Sequence, residues 1–136
     1  MILLDTNVVL DVIQKRPVHY PASASVLDKI VRGQLTAALP AHAITTVHFI
    51  VSRYRDRATA SKVIGWLLDR FRVAAIGHAE LNRAHVFAWS DFEDAVVAAA
   101  AESAGCEFIV TRNVRDFGDS PVPALTPEEY LYDIGG

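Results

Sequence analysis

The sequence has a single cysteine, Cys106, among 136 residues. That excludes an internal disulfide and a cysteine-rich zinc site, and it fits a reducing compartment, so a cytoplasmic location is expected. Long apolar runs are also missing. The longest, Ala95 to Ala101, falls far short of the roughly 20 residues of a membrane span. Met1 to Leu4 meet Asp5 at once, so no apolar core of a secretory signal is expected. None of the seven glycines builds a glycine-rich phosphate turn, which excludes P-loop and Rossmann nucleotide sites. Lysine is scarce, three against ten arginines, and none follows Lys62. A receiver domain and a haloacid-dehalogenase-type phosphatase both want a late lysine. The phosphatase also wants D-x-D where this chain has Asp5-Thr6-Asn7. A net charge of −3 argues against a protein that coats nucleic acid by charge alone.

What is present describes a folded chain. Hydrophobic residues make up 51% and charged residues 21%, which excludes disorder. The length suits one domain, residues 1–136, with a core that needs no staple. No repeat or linker divides it.

Short apolar runs alternate with helical spacing. Strands are expected at 2–5, 35–39, 72–76 and 107–111. Helices are expected at 6–15, 21–32, 42–55, 57–71, 78–88 and 91–104. A loop through Pro121 to Leu125 leads to a last helix that begins at the capping box Thr126-Pro127-Glu128-Glu129. Trp66, Leu67 and Phe71 have helical spacing and read as core, with a dimer or partner surface as the alternative. Cys106 reads as a small buried hydrophobe. The order implies a three-layer α/β/α fold around a small parallel sheet.

In such a sheet the ligand crevice lies at the carboxyl ends of the strands. Asp5 ends the first strand; Thr111, Arg112, Asn113 and Asp116 follow the strand 107–111; the helix 91–104 starts at this edge with Asp91, Glu93 and Asp94. Local duties compete with a role in the crevice. Ser90-Asp91-Phe92-Glu93 reads as a capping box, which gives Glu93 a job and lets Asp91 serve the helix dipole. Asp94 has no such duty. Asp5 either caps the helix at Thr6-Asn7 or lines the crevice, where a half-buried acid needs a partner. With no cluster of Lys or Arg placed to neutralise three carboxylates, an oxygen-only site suits Mg²⁺ or Mn²⁺. The chemistry suggested is metal-assisted hydrolysis of a phosphodiester. Arg53, Arg55 and Arg57 form a cluster that either binds phosphate or is a solvated helix end, and Arg70 and Arg72 form a smaller one.

ILLDTNVVLD at the start, EDAVVAAAAESAGCEFIVTRNVRDF in the second half and VPALTPEEYL near the end together resemble PIN-domain proteins, most of all the VapC toxins of bacterial toxin–antitoxin pairs. The resemblance covers residues 2 to about 131. It implies a small parallel sheet between helices and a Mg²⁺- or Mn²⁺-dependent ribonuclease. It carries the acidic metal site onto Asp5, Asp94 and Asp116, with Asn113 at a position that is Asp in some members. Thr6 and Thr111 match polar positions beside the site, and Arg112 joins the arginines that could meet RNA. The implied partners are an RNA substrate, a small cognate antitoxin and a second copy of the chain, away from any membrane.

One departure stands out. Many PIN proteins carry a Glu on the helix after the second strand, whereas AHAITTVHFIVSRY has no acid. His48 falls about where that Glu would be, and His42 precedes it near the crevice edge. His48 replaces the Glu as ligand or base, Asp91 replaces its charge, or the site is degenerate and the protein is an inactive RNA- or partner-binding module.

Overall fold

The structure, a computed structural model, describes residues 1–134. Its order is β1 (Ile2–Leu4), α1 (Thr6–Ile13), α2 (Tyr20–Val31), β2 (Ala37–Pro40), α3 (Ala41–Tyr54), α4 (Arg57–Arg70), β3 (Arg72–Ala74), α5 (His78–Phe87), α6 (Phe92–Ser103), β4 (Phe108–Val110), a 3₁₀ turn (Val114–Phe117), β5 (Ala124–Leu125) and α7 (Pro127–Asp133). The five strands lie in the order β3-β2-β1-β4-β5, and every neighbouring pair is parallel. The expected three-layer α/β/α class is the observed one.

The strands alternate strictly between two apolar layers, as a period of two requires. Leu4, Leu39 and Val110 face one core with Val8, Val26, Val47 and Leu67. Leu3, Ala38 and Ile109 face the other with Val97, Ala98 and Ala101. Both faces of the central strands are therefore covered. That explains why the strands read as plain apolar runs rather than alternating ones.

Helix α6 is buried from Asp94 to Ala101. It lies between the sheet and α5, so no side of it carries a polar stripe. Its alanines let it sit close to Leu3, Ala38 and Ile109. This close seating fixes where its first turn meets the sheet edge. Gly105 then ends the connection at φ +73°, a left-handed conformation that glycine adopts without strain.

Several sequence expectations need correction. The stretch after β4, read as loop, contains the 3₁₀ turn and β5, a two-residue strand paired with β4. Two residues are too few to show a period. The strand expected to stop at Pro40 includes it: Pro40 is the last residue of β2 and is in register with Ala74. Its missing N–H then ends the ladder. The cap of α6 is Asp91, one residue later than the expected Ser90, and its carboxylate accepts from the amide of Asp94 at 3.0 Å. The capping box of α7 is as expected: Thr126 accepts from the Glu129 amide, and Glu129 accepts from the Thr126 amide. Leu67 and Phe71 are core, but Trp66 is 36% exposed at a groove with Val9, Val12, Ile13, Leu27 and Val63. Among the described residues no helix is long and apolar enough to cross a membrane.

Two glycines make a paired test. A Cβ at Gly105 would meet nothing within 4 Å, so Gly105→Ala isolates backbone strain and is expected to cost about 1–2 kcal/mol. Gly65 lies inside α4, also in open space and without a positive φ. Gly65→Ala is expected to stabilise by about 0.8–1 kcal/mol. Urea denaturation of the two variants should shift the midpoint in opposite directions.

Candidate active site

β1 and β4 lie side by side at the centre of the sheet, where the chain order reverses from β1-β2-β3 on one side to β4-β5 on the other. Their carboxyl ends frame the crevice expected at such a reversal. Asp5 follows β1 there and is 7% exposed. One of its oxygens accepts from the Thr6 amide at 2.8 Å. The other accepts from Thr111 Oγ1 at 2.8 Å and Asn7 Nδ2 at 3.3 Å. Asp5 is thus both the N-cap of α1 and a crevice acid; the two readings of it were compatible. Thr111 is fully buried and also accepts from the Asn113 amide at 3.1 Å, so it ties the loop after β4 to the end of β1.

Asp94, in the first turn of α6, is 8% exposed. Burial pushes its carboxyl up from the ordinary 3.8 to about 7, aided by the negative charges of Asp91, Asp5 and Asp116 and a proton shared toward Asp91. Asp5 is also raised, chiefly by burial and against the hydrogen bonds from Thr111 and Thr6; Glu93 pushes it up and His42 pulls it down. Four acids from three distant segments therefore share one field, with Asp94 at its centre. Asp91 and Asp116 are exposed, Asp116 on the 3₁₀ turn. Beside them a polar cavity of about 370 Å³ is lined by Trp89, Ser90, Asp91, Arg115, Asp116 and Asp119. Among the described residues, no three His, Cys, Asp or Glu side chains already stand as a ligand set. The acids share charge without forming a closed cage.

The other candidates fall in different places. Asn113 is exposed beside the crevice, its amide on Thr111. Thr6 is buried and offers its backbone amide to Asp5. His48 is exposed on α3, its Nδ1 3.5 Å from Ser52 Oγ; the histidine that acts on Asp5 is His42, at the start of α3. Arg53, Arg55 and Arg57 are exposed at the turn between α3 and α4. α3 starts at the crevice edge and runs away from it, so its 14 residues put that turn about 20 Å from the edge.

Arg112 is turned inward. Its Nε lies 3.0 Å from Asp11 Oδ2, close as an ion pair but out of line for a hydrogen bond. Asp11 is fully buried and also meets Ser23 Oγ at 3.1 Å and Arg16 Nη1 at 3.5 Å. The sequence reading passed over Asp11 and Asn7. The signal for Asp11 was an acid inside TNVVLDVI, a helix otherwise apolar after its first turn.

Fold and site together define an α/β domain whose ligand crevice, at the carboxyl edge of a parallel sheet, is lined by acids. The PIN domain family profile matches residues 1–115, and the chain belongs to the PIN domain family. Among solved structures, a toxin–antitoxin complex from Klebsiella pneumoniae is similar at TM-score 0.71 and 20% identity, covering 93% of this chain and 98% of that one. VapBC-1 from nontypeable Haemophilus influenzae gives 0.71 and 17%, over 94% and 99%. VapC20 from Mycobacterium tuberculosis, described as a sarcin-ricin-loop-cleaving toxin, gives 0.63 and 13%, over 80% and 87%. At these identities the likeness is one of fold. No curated protein matches the chain. The family match stops one residue short of Asp116, so that acid rests on its place in the structure.

Two predictions follow from this geometry. Asp11→Ala is expected to cost about 1.5–3 kcal/mol, the worth of buried hydrogen bonds to a charge. The cost stays below that of breaking a fully buried ion pair because both arginines keep partial access to water. Urea denaturation measures it. The second concerns pH. Folded Asp94 holds its proton to about pH 7, whereas an ordinary carboxyl loses it near 3.8. Its contribution to stability is therefore complete below that lower value, declines as pH rises across the window, and is gone above about 7. The melting temperature in a chelator should fall from pH 5 to pH 8 in the wild type and fall less in Asp94→Asn.

Proposed function

We propose that the protein is a divalent-metal-dependent endoribonuclease and the toxin of a toxin–antitoxin pair, acting as a single PIN domain. The observation that carries this reading is the convergence of Asp5, Asp94 and Asp116 from three segments, with Asp94 raised to about 7 by burial and by its acidic neighbours. Repelling carboxylates gathered in one place are relieved by a retained proton or by a bound cation, and the cation is the relief that leaves all of these acids ionised. The donors are all oxygen, which fits Mg²⁺ or Mn²⁺. An incomplete protein cage fits too, because such ions take few carboxylates and keep several waters. Asp5, Asp94 and Asp116 would hold the ion. When bound, it makes a water acidic enough to attack phosphorus and offsets charge on the phosphate.

The chain's own residues do the positioning. Thr111, Asn7 and the Thr6 amide occupy three of the roughly four acceptor positions of Asp5, which fixes the carboxylate and leaves one position open. Asp91 holds the first turn of α6 through the Asp94 amide, keeping Asp94 at the crevice. Arg115, on the exposed 3₁₀ turn beside Asp116, is the arginine placed to meet a phosphate near the acids. The similar solved structures, a toxin–antitoxin complex and VapBC-1, support a small antitoxin as partner. The half-exposed Trp66 groove offers it, or a second copy of the chain, apolar surface.

The test is Mn²⁺ calorimetry and an RNA cleavage screen on wild type and Asp5→Asn/Asp94→Asn. The expected result is a loss of Mn²⁺ affinity and of cleavage above the roughly 10–100-fold that outer partners of a ligand cause, with an unchanged circular dichroism spectrum. A folded wild type that binds RNA, and neither binds Mn²⁺ nor cuts even with RNA present, would instead make this a binding module.

A further inference from the structure

His42 is the second residue of α3, just past the end of β2, and β2 lies directly beside β1. It therefore stands at the same edge as Asp5. Both of its ring nitrogens are sealed from solvent, and neither has a hydrogen-bond partner. A neutral imidazole carries one donor and one acceptor, and buried polar atoms in native proteins are paired in the great majority of cases. The ring lies near enough to Asp5 to act on that carboxylate. Thr45 and Thr46, which follow it on α3, spend their hydroxyls on the His42 carbonyl and not on the ring. Asp5, for its part, has its remaining partners in Thr6, Asn7 and Thr111.

Resting on the metal-dependent reading above, we infer that His42 is a ligand of the divalent ion: one imidazole nitrogen supplies, from α3, a donor that stands with Asp5 at the crevice. This gives the α3 segment, which has no acid, a part in the site. It also changes the ion the site takes. Imidazole suits the later first-row ions best, whereas carboxylate, carbonyl and water suit Mg²⁺ and Mn²⁺; of those two, Mn²⁺, as the first of the transition series, accepts nitrogen more readily. Since no three such side chains already stand as a ligand set among the described residues, water supplies the remaining positions. His48 cannot substitute, because it is exposed and its ring nitrogen faces Ser52.

The experiment uses the full chain with Mn²⁺ alone and no RNA. Electron spin-echo envelope modulation of bound Mn²⁺ detects a directly coordinated nitrogen, and labelling the histidines with ¹⁵N shows whether that nitrogen is histidine's. The expected result is a histidine nitrogen signal that disappears in His42→Gln and persists in His48→Gln. Mn²⁺ affinity should fall in His42→Gln by more than the roughly 10–100-fold that loss of an outer partner causes, and Mg²⁺ affinity by less. Mn²⁺ bound without a nitrogen signal would overturn the inference and leave the carboxylate site standing; the ring would then face a buried water. No Mn²⁺ bound by the folded wild type, with or without RNA, would overturn the metal reading and this inference together. If His42→Gln fails to fold, a histidine signal that persists in His48→Gln supports the inference, and a wild type without one overturns it.

Discussion

The 2.8 Å hydrogen bond from Thr111 to Asp5 joins residues 106 apart in sequence and has to be made for the crevice to exist. Asp5 must leave the end of an apolar strand and enter a helix within one residue. Its carboxylate there is mostly out of water, a placement that costs several kcal/mol unless the oxygens are bonded. Thr111, itself fully buried, provides a hydroxyl that can donate to Asp5 and still accept from the loop after β4. The same bond therefore closes β1 against β4 and aims the carboxylate, whose other oxygen caps α1. Nothing in the register of the two strands alone would do the last of these.

Asp11 is a second polar bolt behind the first. It pins Arg112, the residue after Thr111, from a helix turn further along α1, and brings in Ser23 from α2. Asn7 adds a link between the two, accepting from the Arg112 amide at 3.4 Å and donating toward Thr111. Thr111 and Arg112 are thus held by side chains of α1 and Asn113 by the Thr111 hydroxyl, and the 3₁₀ turn that carries Asp116 begins directly after them. Precise loops at a site are obtained when supporting residues are themselves locked. Here the locking residues are polar and buried, which is why an apolar pattern could not announce them.

The layers and the main acids were legible because they rest on periodicity and on the rule that parallel strands end at one edge. Apolar runs at 2–5 and 107–111 and the small-residue helix between them were enough to bring Asp5, Asp94 and Thr111 together on paper. What was not legible has physical reasons. β5 is two residues long, below any periodic signal. Asp91 displaced Ser90 as cap of α6 because the motif S-x-x-E is satisfied by a sequence that also contains D-x-x-D one residue later, and only the backbone entry angle chooses between them. His42 and His48 are six residues apart on one helix, about one and two-thirds turns, so they point to different sides; spacing counted from a family pattern could not say which side meets the crevice. Arg112 reads as a free arginine until a buried Asp11 is known to face it.

Charge decides how a phosphodiester could approach such a site. The three arginines that suggested RNA binding sit at the far end of α3, and Arg112 is held by Asp11, so the crevice itself is acidic apart from Arg115 and His42. A phosphate entering it meets repulsion from Asp94 and its neighbours at close range, where the field is weakly screened. In the proposed reaction a cation held by these acids would offset that repulsion as well as supply an activated water. The remote arginines are farther from the acids than the Debye length of about 8 Å at physiological salt, so they can add affinity for a long RNA without touching the scissile bond. On the proposed reading, binding strength and cleavage competence would be set by different ends of α3.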